Sequence, residues 1–184
     1  MQQNQVASIT GIGSYLPSKV LSNYDLEKMV ATTDEWIIQR TGIKERRIVE
    51  NGMVTSDLAV RAAHMAMDDA GVSPKDIDMI ITSTITPDYF FPSTSCQVQH
   101  KIGATRASAF DILAACSGFV YALSVGQNFV NAGTVGTVLV VGAECLSKIT
   151  DYTDRATCIL FGDGAGAVVV QKSQKKHEIL STTL

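Results

Sequence analysis

The chain has 184 residues, of which 46% are hydrophobic and 18% charged, and its 15 basic and 18 acidic side chains give a net charge of −3. That length suffices for one domain with a proper core, and the charge balance argues against a nucleic-acid surface. No stretch approaches the ~18 uninterrupted apolar residues of a membrane span, and the opening Met-Gln-Gln-Asn-Gln lacks a charged-then-apolar signal, so a cytoplasmic protein is expected.

Val6 to Tyr15 reads as a first strand, closed by Leu16-Pro17. Ser22 or Asn23 can cap a short helix through Val30. Thr32-Thr33-Asp34-Glu35 then supplies a cap and an acidic first turn for a second helix ending at Gly42. The basic run Lys44 to Arg47 is expected to be a solvated face. A strong helix starts at Thr55 or Ser56 and stops at Gly71, with Leu58, Ala62, Met65, Ala66 and Ala70 at helical spacing. After the turn at Ser73-Pro74, Met79 to Thr84 is an apolar strand. Pro87 and Pro92 bracket the aromatic loop Asp88 to Phe91, and Ser93 or Thr94 caps a helix reaching Ile102. Ala107 to Leu113 is the next strand, a helix follows through about Ala132, and Val135 to Ala143 is a near-continuous apolar strand suited to a sheet centre.

The loop Lys148 to Arg155 leads to Phe161-Gly-Asp-Gly-Ala-Gly166 and a strand over Ala167 to Gln171. Those glycines precede a strand instead of a helix, so the N–H cradle of a dinucleotide loop is missing, and a tight strand-entering turn is expected. Alternating strands and helices imply right-handed crossovers and a mostly parallel sheet with helices on both faces. Ser173 to Glu178 is polar, and Ile179-Leu180 then restarts an apolar pattern, so the chain is expected to be part of a longer protein.

The cysteines Cys96, Cys116, Cys145 and Cys158 form no C-x-x-C pair, which removes zinc spacing and argues against a disulfide framework. Cys116 falls where the strand from Phe110 gives way to a helix with almost no polar face, expected to be buried all round. A thiol at a helix N-terminus meets free N–H groups and the positive end of the dipole, which makes it a nucleophile. The same position also suits a small buried hydrophobe. Both readings stand on these residues alone.

Several motifs in combination resemble the β-ketoacyl-acyl carrier protein synthase III family. They are Gly13-Ser-Tyr-Leu-Pro17, Asp34-Glu-Trp-Ile-Ile-Gln-Arg-Thr-Gly-Ile43, Phe91-Pro-Ser93, Ala114-Ala-Cys-Ser-Gly-Phe119 and Thr153-Asp-Arg155 with Phe161-Gly-Asp-Gly-Ala-Gly166. The resemblance runs from about Val6 to Lys172 and implies the N-terminal half of a thiolase-like α/β fold. That half is one αβα unit, with a mostly parallel mixed sheet, of a five-layered αβαβα architecture. Residues 1–172 are then the N-terminal domain, and residues 173–184 a polar linker and the start of a C-terminal domain.

The resemblance makes Cys116 the acyl-accepting nucleophile and puts Thr32, Trp36, Arg40 and Arg155 at the coenzyme A tunnel. Trp36 and Arg155 are expected to stack on either side of the adenine, and Phe91 to close the acyl pocket of the partner in a homodimer. The implied reaction condenses a short acyl-CoA, expected to be acetyl-CoA, with malonyl-acyl carrier protein through an acyl-cysteine. It gives 3-oxoacyl-acyl carrier protein and CO2, with no cofactor and no metal; coenzyme A thioester is a substrate. The family's catalytic histidine and asparagine are expected beyond residue 184, so this chain alone is expected to be inactive in condensation. His64, His100 and His177 are read as surface or packing residues, and Ser117 replaces a common alanine. The alternatives are a related polyketide or quinolone condensing enzyme, or a non-catalytic acyl-CoA-binding half-subunit.

Overall fold

A computed structural model describes residues 6–50, 52–172 and 177–184. In chain order the elements are β1 (Ala7–Tyr15), β2 (Lys19–Ser22), α1 (Asn23–Glu27), α2 (Asp34–Thr41), β3 (Glu45–Ile48), α3 (Thr55–Ala70), β4 (Met79–Ser83), α4 (Thr94–Ile102), β5 (Ser108–Ile112), α5 (Gly118–Asn131), β6 (Thr137–Cys145) and β7 (Asp163–Lys172). The main sheet has the order β1-β7-β6-β4-β5. β4 is parallel to β5 and β6, whereas β7 is antiparallel to both β6 and β1. Four strands therefore share one direction and β7 alone runs against them, giving the expected mostly parallel mixed sheet.

Side chains alternate across the strands and so divide the core. Ile80, Leu139, Val141 and Val169 face α3 and α4, while Ile81, Val138, Val140 and Val170 face α5. The result is one helix–sheet–helix unit. β1 lies against α3 through glycines: a Cβ on Gly11 would sit 2.3 Å from the Ala66 carbonyl oxygen, and one on Gly13 2.3 Å from that of Ala62. A smaller two-stranded sheet of β2 and β3 carries α1 and α2 over a third cluster, Leu26, Ile37, Cys158 and Ile159.

The capping signals stand where the residues put them. Ser22 caps α1, Thr33 caps α2 and Ser93 caps α4, and Gly42, Gly71 and Gly103 end helices in the left-handed conformation. Other expectations are corrected. The run Lys44 to Arg47 leads into and forms most of β3, and while Lys44 and Glu45 are solvated as expected, Arg46 is not, being only 4% exposed. The partner strand β2 carries no signal strong enough to read beforehand. Met65 faces solvent, because Ala62, Ala63 and Ala66 already fill the contact with the sheet. Gly164 and Gly166 lie inside β7, not in a turn before it. α5 is not buried all round, since one sheet covers only one side of a helix, and Val120 and Tyr121 stay exposed.

His64, His100 and His177 are all exposed. Residues 173–176 of the expected linker lie outside the described residues. Farther on, the Ile9 amide donates to the His177 carbonyl at 3.1 Å and the Ile179 amide to that of Ala7 at 2.9 Å, bringing this tail beside β1. Among the described residues no helix is long and apolar enough to cross a membrane.

Candidate functional site

In open α/β sheets ligands bind beyond the carboxyl ends of parallel strands. Here the ends of β4, β5 and β6 open together. Past β5 the chain passes through Ala115 at φ +46, in the left-handed region, and forms a 3-10 turn over Ala115–Ser117 that carries Cys116. The helix α5 then begins at Gly118, so the cysteine stands two residues ahead of it. Gly118 is required: a Cβ there would lie 2.0 Å from the Ser83 hydroxyl oxygen at the end of β4. This close approach seats the start of α5 against the end of β4, and Cys116 on the preceding turn is exposed.

Of the four cysteines, only Cys116 is exposed. Cys145 and Cys158 are buried, and burial pushes both thiols up, away from the thiolate. Cys96 is half-buried, with its sulfur 3.9 Å from the Ala109 carbonyl oxygen.

Cys116 opens into a cavity of about 470 Å³ whose walls include Ile85, Leu146, Ile149 and Phe161. Two acidic side chains also line it, Asp151 and, at the end of β6, Glu144. The Glu144 Oε1 accepts from the Ile85 amide at 2.9 Å, and its Oε2 accepts from the hydroxyls of Thr84 and Thr86 at 3.2 and 2.6 Å. Behind the lining residue Leu146, Asp163 anchors the neighbouring Ser147. This carboxylate, 5% exposed, accepts from the Val49 amide at 2.7 Å and from the Ser147 amide and hydroxyl at 2.9 and 2.6 Å.

A second assembly forms around Trp36 on α2. The Arg40 guanidinium lies over its ring at 4.8 Å and that of Arg155 at 4.7 Å. Arg155 also donates to the Ala31 carbonyl at 3.2 Å, beside the half-buried Thr32. Arg155 rests directly on the indole, with no open slot for a base between them. Beneath, Arg46 donates from Nε to the Ile159 carbonyl at 3.0 Å and from Nη1 to Asn23 Oδ1, and Asn23 in turn donates to Asp34 Oδ1 at 2.8 Å. The segment 146–161 separates the two regions. Ile149, Thr150, Asp151, Thr157 and Phe161 line the cavity, while Tyr152, Cys158 and Ile159 pack under Trp36.

The structure thus gathers Thr32, Trp36, Arg40 and Arg155 in one place and sets Cys116 on the other side of a shared segment. Phe91 joins neither group; it is 89% exposed on its loop, next to a fully exposed Phe90. The sequence reading missed Glu144, Asp163, Ile85 and Arg46. Glu144 had a usable signal, a lone carboxylate closing an apolar run at a sheet centre.

Residues 110–184 match the 3-oxoacyl-[acyl-carrier-protein (ACP)] synthase III family. Over all 184 residues the chain is 55% identical to the beta-ketoacyl-[acyl-carrier-protein] synthase III of Caldanaerobacter subterraneus subsp. tengcongensis. The chain belongs to the β-ketoacyl-acyl carrier protein synthase III family. It spans about half the length of the curated relatives it matches, aligning in full with 56% of that one, and corresponds to their N-terminal part.

The crystal structure of a synthase III from Aquifex aeolicus superposes with a TM-score of 0.90 at 53% identity, over 92% of this chain and 55% of that one. A priming β-ketosynthase from a polyketide biosynthetic pathway gives a TM-score of 0.90 at 39% identity, over 94% of this chain and 52% of its own. The fold is therefore the thiolase-like fold of the synthase III family, represented here by a single helix–sheet–helix unit.

Proposed function

We propose that this chain supplies the acyl-accepting half of a cytoplasmic β-ketoacyl-acyl carrier protein synthase III. The Cys116 thiolate attacks the carbonyl carbon of a short acyl-CoA, acetyl-CoA in the simplest case. The carbon–sulfur bond to coenzyme A breaks, and its thiolate leaves with a proton. The acyl-cysteine then meets malonyl-acyl carrier protein; loss of CO2 supplies the carbanion that displaces Cys116 and gives 3-oxoacyl-acyl carrier protein. The observation that carries this reading is the position of Cys116, the one exposed thiol of the chain, at the mouth of an apolar cavity beyond three parallel strands.

Thr32, Trp36, Arg40 and Arg155 are assigned to the coenzyme A end. An indole and two guanidinium planes suit an adenine, and cations suit its phosphates. Phe91 is assigned to the acyl pocket of a second copy in a homodimer, a role its exposure supports. The reaction as proposed uses no metal and no resident cofactor.

The polyketide alternative is less favoured, because identity falls from 55% with the synthase III relative to 39% with the polyketide ketosynthase. Incubation with labelled acetyl-CoA tests the central step. Label is expected on the peptide carrying Cys116 and is expected to be absent from Cys116→Ala. Label on any other cysteine, or none with a folded chain, overturns the assignment.

A further inference from the structure

Of the two carboxylates on the cavity walls Asp151 is exposed and Glu144 half-buried, and a charge drawn in beside an apolar space is costly unless its lone pairs are filled. Those of Glu144 are filled from one direction. Three consecutive residues, Thr84, Ile85 and Thr86, send it a hydroxyl, an amide and a second hydroxyl. Further bonds set that segment in place: the Cys145 amide donates to the Thr86 hydroxyl at 2.8 Å, the Thr86 amide donates to the Thr84 hydroxyl at 3.1 Å, and the Thr55 hydroxyl donates to the Thr86 carbonyl at 2.5 Å. Thr84 and Thr55 are buried, at 1% and 2% exposure. The middle residue of the three, Ile85, is the one whose side chain lines the cavity.

We propose that Glu144 is a positioning residue that fixes Ile85 as a wall of the Cys116 cavity and thereby limits the length of apolar chain the cysteine accepts. Both carboxylate oxygens are committed to the 84–86 segment, so Glu144 holds that segment instead of taking a proton from the thiol. Without the carboxylate, the Ile85 amide and two hydroxyls lose their acceptor inside the protein. An unfilled buried donor is expensive, so the segment moves to find other acceptors and takes Ile85 with it. That the chain received is an acyl group rests on the function proposed above; that Glu144 sets the cavity wall does not.

The test uses N-alkylmaleimides from ethyl to hexyl on the 184-residue chain, with the rate at Cys116 read by peptide mapping and folding followed by thermal melting. The hexyl-to-ethyl rate ratio is expected to rise about tenfold in Glu144→Ala, the scale at which an apolar pocket distinguishes small changes in chain length. Ile85→Ala is expected to raise it similarly, and Glu144→Gln, which retains one acceptor oxygen, less. If Glu144→Ala does not fold, Glu144→Gln decides the matter at matched melting temperature. A ratio equal to the parent's in folded Glu144→Gln and Glu144→Ala, or in Ile85→Ala, overturns the proposal. A parallel series of acetyl-, butyryl- and hexanoyl-CoA separates the two readings. A chain that reacts with maleimides in this pattern but with no acyl-CoA leaves the positioning role intact and removes the proposed function.

Discussion

The Arg155 guanidinium carbon lies 4.7 Å from the centre of the Trp36 ring, on the indole itself and not a base-width away. A ligand base that stacks on Trp36 therefore has to lift Arg155 first. Because the contact is exposed, it holds with only about 0.5–1 kcal/mol, a barrier that a nucleotide's own stacking exceeds. Trp36 is the single tryptophan, so its fluorescence reports the exchange directly. Coenzyme A is expected to shift Trp36 emission, and Arg155→Ala to shift it without ligand while weakening coenzyme A binding about fivefold, the equivalent of ~1 kcal/mol. Identical emission from parent and Arg155→Ala would remove the contact from solution.

Cys116 is expected to be the first thiol alkylated. Cys145 and Cys158 are buried, and that burial keeps them protonated. Under limiting iodoacetamide, peptide mapping is expected to find Cys116 labelled before either becomes detectable. Early label at Cys145 or Cys158 in folded chain contradicts the exposures seen here.

What could be read in advance divides by the reach of the signal. α2 was legible from its own residues, Thr33 to cap it, Asp34 and Glu35 in its first turn and Gly42 to end it. Cys116 was legible as a candidate because a strand, small residues and a helix follow one another there. Arg46 was not, since the carbonyl that receives its guanidinium belongs to Ile159, 113 residues away. For Glu144 the local signal showed only a carboxylate closing an apolar run; its three donors, which give it a role, lie 58 to 60 residues upstream. Their convergence needs the parallel pairing of β4 with β6, which no local pattern announces. The motifs of the resemblance located the Trp36 cluster, but they could not show Arg155 already seated on the ring.

Arg46→Met is expected to destabilise the chain by about 2–4 kcal/mol. The methionine fills the volume but leaves the Ile159 carbonyl and the Asn23 side chain, both inside the protein, without their donor. Denaturant unfolding measures the loss, and Trp36 emission should move with it, since Ile159 packs in the cluster beneath that ring. A change below ~0.5 kcal/mol, the range of an ordinary surface substitution, would show that the buried guanidinium is replaceable.

Asp25 provides a pH test. The hydroxyl of Ser22 donates to its carboxylate at 2.6 Å; this bond first, then Lys28 and the Ser22 amide, hold its pKa down to about 2. The folded value lies below the unfolded one, so the carboxylate stabilises the fold above about pH 4 and loses that effect as pH falls toward 2. Asp25→Asn is expected to melt below the parent at pH 6, with the gap closing by pH 2. A gap that stays constant over that range would exclude the carboxylate charge as its source.

The glycines of β1 have a consequence of another kind. Gly11 and Gly13 meet Ala62, Ala66 and Ala70 of α3 so closely that an added methyl strikes helix backbone. The nearest atoms are backbone oxygens and nitrogens of Ala62, Ala66 and Ala70, which no side-chain exchange removes, so no compensating substitution on the helix makes room. A suppressor of Gly13→Ala would have to displace the whole helix, and α3 also packs against β6, β7 and α4. The first strand and the first long helix are thus joined along a seam without slack. Their amides in the middle of that seam should exchange with solvent only when the entire domain opens.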